Sequence, residues 1–397
     1  MLLRVGVGIG LMVAVAMAGI AEDSLAVRYI LDRNGLTETP VFSVADSSGG
    51  RITGLFLTQK GITECPDTIG SLDGLTILNL ENNALPALPV GIGRLENLMV
   101  LKASNNQLTA IPPELMSCSL LTRLELDRNR IAALPAEIEG LGRLEFLSLR
   151  SNRLQVVDGA LTTLRSLRFL YIDHNEISAI DERFDTLPDL EVLSLNNNRL
   201  THYPASWCKL PKLRKLDLTS NKLLSLPDAI GDLHALTDLY LSGNRLNGLP
   251  ETIAQLKSLQ WLYVDNNRLE HLGDEVAALT ALQWLSVAGN ALEVVPEAIV
   301  TLEHLTVLSV SYNKLRTLPE RIGELTGLRV LRCNGNRLDS LPSSIVKLQQ
   351  LDFKRGGEEY GTLQIMNNRL CSVPDKIAQW ADRFCPVWRE SQQCGGE

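Results

Sequence analysis

Aromatic residues make up only 5% of this 397-residue chain, although 45% of it is hydrophobic. A core built on large rings is therefore excluded, and one assembled from many thin aliphatic layers is favoured. Runs of Lys and Arg are absent and the formal net charge is −8, which argues against a nucleic-acid or anionic-membrane partner. Histidine is scarce: His174, His202, His234, His271 and His304 do not recur at one place in the pattern described below, so neither a metal cluster nor a His-based triad emerges. There is no Gly-rich phosphate loop and no closely spaced Cys pair of the zinc-clip kind, so no cofactor is expected. An Asn-x-Ser/Thr sequon is also missing from an Asn-rich chain, which favours a bacterial periplasmic or secreted protein over a eukaryotic one.

The first residues have the composition of an export signal. Arg4 precedes an uncharged apolar stretch, Val5 to Ile20, and small residues follow. Two cleavage points fit, after Ala18 or after Ala21, and the second is preferred because Glu22 and Asp23 open the polar sequence. The apolar run is shorter than the ~20 residues that span a bilayer, so no stable membrane insertion is expected after cleavage.

The dominant feature is a period of 23 residues. Apolar residues open successive repeats at Ile52, Leu75, Leu98 and onward to Leu328, without insertion through Gln350. A fourteenth repeat restarts at Tyr360 after an interruption, Leu351 to Glu359, whose Lys354–Glu359 segment reads as a polar loop. Within a repeat, alternation such as Leu216-x-Leu218 predicts a short strand with its leucines inward. Ninth in the repeat stands Asn, from Asn83 to Asn368, with Lys60 the exception in the first. Its amide can both donate to and accept from backbone groups stranded inside a coil. The second half, as in Leu226-Pro227-Asp-Ala-Ile230-Gly-Asp-Leu233, predicts a helical or 3₁₀ segment on the outer side, with Asp158, Asp181 and Gly273 replacing the proline in three repeats.

The pattern L-x-x-L-x-L-x-x-N-x-L followed by L-P-x-x-I-x-x-L resembles the leucine-rich-repeat family over residues 52 to about 380. Leu318-Pro319-Glu-Arg-Ile322-Gly323-Glu-Leu325 is similar to the Ras-suppressor-like group and related bacterial proteins. The resemblance implies an α/β solenoid, a right-handed horseshoe with a concave parallel sheet and helical or 3₁₀ convex segments, and it implies binding, not catalysis, as the role. Residues 1–21 are then the signal peptide, 22–51 an N-terminal cap, 52–380 the repeats and 381–397 a C-terminal cap, because a stack of coils needs polar covers at both ends. Helical spacing at Leu25, Tyr29 and Ile30, with a stop at Gly35, places a helix in the first cap.

Cys65, Cys118 and Cys333 fall at inward places and read as small apolar fillers, while Cys208 lies on the outer helical side. Cys371, Cys385 and Cys394 crowd the C-terminal cap of an exported chain. Cys385–Cys394 is the first choice of disulfide and Cys371–Cys385 the second.

Function is sought at the outward strand positions, which the repeat itself does not consume. Trp261 and Trp284 hold the same place in adjacent repeats and are expected side by side as an exposed shelf. Tyr240 and Tyr263 lie nearby with Asp217, Asp238 and Asp265, and a second cluster gathers Phe146, Phe169, Tyr171 and Asp173. Aromatic anchors ringed by carboxylates suit a protein or peptide ligand, and also a glycan. Side chains that merely cover the sheet would look the same. Asp217 and Asp238, diagonal on neighbouring strands, have the spacing of an inverting glycosidase pair, but an open pair in water lacks the burial that raises one pKa. Asp173 and His174 are expected as solvent-exposed contacts. The stripe Arg130, Arg153, Arg199, Arg245, Arg268, Arg337 and Arg369 reads as a solvated edge.

Overall fold

The computed structural model describes the backbone of residues 2–182, 187–351 and 362–394, and side chains from residue 18. The chain forms two compact halves, Met1–Val192 and Leu193–Glu397. Each is a stack of 23-residue coils, a leucine-rich-repeat solenoid in which a three-residue strand alternates with a short 3₁₀ segment.

In the N-terminal half, strands such as Arg123–Glu125, Phe146–Ser148 and Phe169–Tyr171 pair parallel and in register, Arg123 opposite Phe146 and Phe146 opposite Phe169. In the C-terminal half Lys215–Asp217, Asp238–Tyr240, Trp261–Tyr263 and Trp284–Ser286 do the same. The central leucine of every such strand is fully buried, as Leu124, Leu147, Leu216, Leu239 and Leu262 illustrate. Proline sits one residue before the 3₁₀ segment in an extended conformation, as at Pro227 (φ −69°, ψ 150°). Asp158 does the same work by accepting from Ala160 N at 3.0 Å. Where Asp181 replaces the proline its N–H donates to Val157 O at 2.9 Å, a bond proline cannot make, and Val156–Val157 pairs with Ala179–Ile180 as a second small ladder.

Within each half the ninth-place asparagines tie a coil to the one before it. Asn221 Nδ2 donates to Leu195 O at 3.0 Å, 26 residues back, and shares its protons with Leu218 O and Thr219 O, while its Oδ1 accepts from Leu200 N at 3.0 Å. Asn129 repeats the arrangement with Ala103 O, Leu126 O, Asp127 O and Leu108 N. The first repeat has no coil before it, so an exposed Lys60 can stand in the ninth place. The preceding, eighth residue is left-handed in repeat after repeat, from Gln59 (φ 56°) through Arg128, Ser151, His174 and Tyr312 to Asn367 (φ 53°), and only Gly243, Gly289 and Gly335 relieve the strain with glycine. That turn aims the amide inward.

Helix α1 spans Leu2–Arg33. Its packed face differs from the spacing argument: Asp23, Ala26, Val27, Ile30 and Leu31 are buried, whereas Leu25 is 71% and Tyr29 46% exposed. The phase is set by Asp23, which accepts from Arg51 Nε and Nη2 and from Ile52 N at 2.7–2.9 Å and so turns its own side of the helix to the first repeat. Helix α2 covers Asp375–Phe384 and buries Ile377, Trp380, Ala381 and Phe384. The interruption expected at Leu351–Glu359 and its restart at Tyr360 lie, Leu351 aside, outside the described residues. Beyond them Asn368 Nδ2 donates to Cys333 O across 35 residues, and the strand Leu363–Gln364 pairs with Leu331–Arg332.

The disulfide is Cys371–Cys394, which corrects the expected Cys385–Cys394 and its alternative Cys371–Cys385. Cys385 ends α2 and turns inward, its Sγ 3.5 Å from Met366 Sδ. Cys371 and Cys394 are 23 residues apart, one full period, which brings their Cα atoms to 5.4 Å. Cys65, Cys118, Cys208 and Cys333 are buried free thiols.

Replacing Asn221 with Ala leaves buried backbone groups without partners, at about 1–3 kcal/mol each, so a loss of about 3 kcal/mol is expected in denaturant unfolding. Lys60→Ala, at the same place in the first repeat, should change stability by less than about 0.5 kcal/mol. Equal effects of the two substitutions would contradict the role given to the amide.

Candidate functional site

In the C-terminal half, parallel register places Asp238, Trp261 and Trp284 in one row across the sheet face and Tyr240, Tyr263 and Ser286 in the next. Tyr240 and Tyr263 stack with centroids 5.1 Å apart and planes 11° from parallel. Trp284 leans over to Tyr263, 5.5 Å away at 32°, and among the described residues its ring contact is with this tyrosine instead of with Trp261. The expected exposed Trp261–Trp284 shelf is thus replaced by a diagonal run Tyr240–Tyr263–Trp284, flanked by Trp261, with all four residues half-buried. This is a diagonal cross-strand contact, in which third-place Trp284 reaches the fifth-place Tyr263 of the strand before it. Lys215 Nζ sits 4.9 Å from the Tyr240 centroid at the other end of the run. Trp284 Nε1 is buried without a hydrogen-bond partner among the described residues.

The nearby carboxylates do not project as free acceptors. Asp238 accepts from Thr237 Oγ1 at 2.6 Å and from the Tyr240 hydroxyl at 3.2 Å. Asp217 accepts from Thr219 N at 3.0 Å and Asn196 Nδ2 at 3.1 Å. Asp265 accepts from Ser286 Oγ at 2.5 Å and Ala288 N at 2.7 Å, stapling one strand end to the next. Burial pushes the Tyr240 phenol well above its ordinary pKa, and Asp238 adds to the effect. Burial, then Asp265 and Asp238, raises Tyr263 as well.

The second cluster is closed in a different way. Phe146 packs against Phe169 (6.1 Å) and Tyr171 (5.5 Å), and each ring carries a guanidinium: Arg123 lies 3.7 Å over Phe146, Arg150 3.9 Å over Tyr171 and Arg168 5.2 Å over Phe169. Those cations are themselves paired, Arg123 with Glu125 at 2.5 Å, Arg150 with Asp173 at 3.2 Å and Arg168 with Glu191 at 2.7 Å. Burial alone would push Glu125 up, but hydrogen bonds from Arg123 and Lys102 hold it below the usual carboxylate range. Asp173 is buried at 6% exposure, contrary to its expected place in solvent, because Arg150 and His174 Nδ1 fold over it; His174 is exposed as expected. Asp127 repeats the Asp265 staple on Ser148 Oγ and Arg150 N, with burial pushing its carboxyl up. The three arginines are legible in the sequence, since Arg123 stands in register beside Phe146, Arg150 lies diagonal to Tyr171 on the neighbouring strand and Arg168 directly precedes Phe169. Beside this cluster a polar hollow of about 550 Å³ is lined by Glu81, Glu125, Asp127, Arg128, Arg150 and Asp173 among others. Among the described residues there is no group of His, Cys, Asp and Glu able to hold a metal ion.

This architecture has close parallels among solved structures. An LRR protein of Leptospira interrogans is 33% identical over 83% of this chain and 87% of its own, with a TM-score of 0.74. The chain belongs to the leucine-rich-repeat family. Descriptions of that family match by sequence too, "Leucine-rich repeat region" over residues 184–270 and "Leucine rich repeat" over residues 73–131, 119–177 and 280–338. The plant peptide hormone receptor RGFR1, solved in complex with RGF2, is 27% identical over 79% of this leucine-rich-repeat chain (TM-score 0.65), which spans 55% of the receptor. An internalin of Listeria monocytogenes, at 22% identity over 84% of this chain and 94% of its own and a TM-score of 0.66, shares the fold. No curated protein matches the chain.

Folded tyrosines with raised pKa values stay protonated when those of the unfolded chain, near pH 10, have ionised. Their contribution to stability is therefore present below pH 10 and lost as pH rises above it. Absorbance titration should show three phenols, those of Tyr203, Tyr240 and Tyr263, ionising above the rest, and Asp238→Asn should bring that of Tyr240 down; an unshifted titration would contradict the geometry around Tyr240.

Proposed function

We propose that this leucine-rich-repeat chain is an exported, non-enzymatic scaffold that binds a protein or peptide through the sheet face of its C-terminal half. The run Tyr240–Tyr263–Trp284 with Trp261 beside it is the observation that carries the reading. These rings are half-buried and stacked, so little rotamer freedom remains to be lost on binding, as is usual for the aromatic anchors of protein interfaces. The Phe146 cluster is the weaker candidate because its rings are already covered by paired arginines. The peptide-hormone receptor among the structural neighbours lends support to a peptide ligand. Binding is preferred to catalysis because Asp217 and Asp238 each spend their oxygens on neighbouring groups of the chain.

Export follows from the basic and apolar start of the sequence, with cleavage after Ala21. Such a cut keeps Asp23, whose carboxylate the first repeat uses. Among the described residues no helix is long and apolar enough to cross a membrane. N-terminal sequencing of the exported protein should begin at Glu22, and retention of residues 1–21 would refute this assignment.

A peptide library panned on the wild-type protein should yield binders that quench its Trp fluorescence. Trp261→Ala combined with Tyr263→Ala should weaken them at least tenfold, with the melting temperature lowered by only a few degrees. The reading fails if the same peptides bind both proteins equally, or if soluble cell-wall sugars quench the fluorescence and no peptide does.

A further inference from the structure

Each coil leaves the sixth-place C=O and the eleventh-place N–H for the asparagine of the next coil to satisfy, so the last coil faces a vacancy. Its corresponding groups are Ile365 O and Leu370 N. Both are taken by one side chain from the tail: Gln392 Nε2 donates to Ile365 O at 3.1 Å, and Leu370 N donates to Gln392 Oε1 at 3.2 Å. One coil earlier, Asn368 makes the same two bonds, to Cys333 O at 3.0 Å and from Leu338 N at 3.1 Å. The neighbours of Gln392 complete the pairing, since Asn367 N donates to Ser391 Oγ at 3.2 Å and Gln393 N to Asn368 O at 2.7 Å. No repeat motif accompanies these residues, so nothing but this geometry marks them.

What holds the tail there is the Cys371–Cys394 bond, one residue beyond Leu370 and two beyond Gln392. Both cysteines are exposed, and a hollow of about 460 Å³ lined by Cys371, Trp388, Gln392 and Cys394 gives small molecules access to them. The remaining cap thiol, Cys385, faces Met366 in the interior and is poorly placed to attack the disulfide. Burial also pushes its pKa up, which keeps it protonated.

We infer that residues 391–394 form a removable fourteenth rung of the amide ladder, latched by Cys371–Cys394 and released by a dithiol reductant. The reductant's thiolate attacks one sulfur, a mixed disulfide forms as the Cys371–Cys394 bond breaks, and the reductant's second thiol closes its own disulfide. Two electrons pass to the protein, and both cysteines leave as thiols after taking up protons. Without the covalent tie, the few hydrogen bonds of residues 391–393 must bear the ordering entropy of the tail by themselves.

Hydrogen exchange of the full-length chain tests this, read at the Leu370 amide with and without dithiothreitol and with the Leu223 amide as an internal reference. Reduction should speed exchange at Leu370 at least tenfold and leave Leu223 unchanged. Cys371→Ser with Cys394→Ser should reproduce the reduced state. Gln392→Ala with the disulfide intact should speed Leu370 while leaving the Gln393 amide protected. The inference is overturned if Leu370 does not respond to reduction, if it ignores Gln392→Ala, or if Leu223 speeds in parallel, since the disulfide would then support the whole coil stack.

Discussion

A coil of 23 residues that turns off a three-residue strand carries backbone groups into its interior that no regular ladder can pair. The ninth-place asparagine is the side chain that answers this, since it alone among small residues offers a donor pair and an acceptor on one planar group. Its reach is backward: Asn221 serves Leu195 and Leu200, and Asn129 serves Ala103 and Leu108. A repeat is therefore incomplete until its successor is in place. This dependence accounts for the strictness of the period, for the left-handed residue before each asparagine, and for the freedom to place Lys60 where no coil precedes.

Because the interior is satisfied in this way, the outer strand positions are released from structural duty and diverge. In the N-terminal half they are spent on a neutral mosaic of aromatic rings, guanidinium groups and carboxylates, whose members satisfy one another. In the C-terminal half Tyr240 and Tyr263 stack and Trp284 leans on Tyr263, with Lys215 over the Tyr240 end and a buried indole N–H that has no acceptor among the described residues. On the proposed function, the second arrangement is the surface offered to a partner. Acidic residues contribute to both faces mainly as staples, as Asp127 and Asp265 show by bridging a serine hydroxyl and a backbone N–H of the next strand.

Much of this was legible in the amino-acid order. Leu-x-Leu alternation, the Asn rung and the Pro before each 3₁₀ segment are local and repeated many times, so the period isolates them from chance. Single events resisted the same reading. The phase of α1 is hidden from such a reading because its key core residue, Asp23, is polar and is buried through Arg51 and the Ile52 N–H. The burial of Asp173 is hidden too, because its cover, Arg150, comes from the preceding repeat. The tilt of Trp284 toward Tyr263 depends on packing that a list of outward positions does not contain. The disulfide could have been found, since the separation of Cys371 and Cys394 equals the period itself.

Within each half the eleventh-place amide of a coil is held by the asparagine of the coil that follows, and the rest of the structure depends on that hold. Site-resolved native-state hydrogen exchange measures this directly, comparing Leu108, Leu246 and Leu292, which donate to Asn129, Asn267 and Asn313, with the amides of the exposed successors Thr109 and Glu293. The eleventh-place amides should exchange only through large-scale unfolding, slower than those successors by orders of magnitude. Exchange of Leu108, Leu246 and Leu292 at the rates of the exposed amides would contradict it.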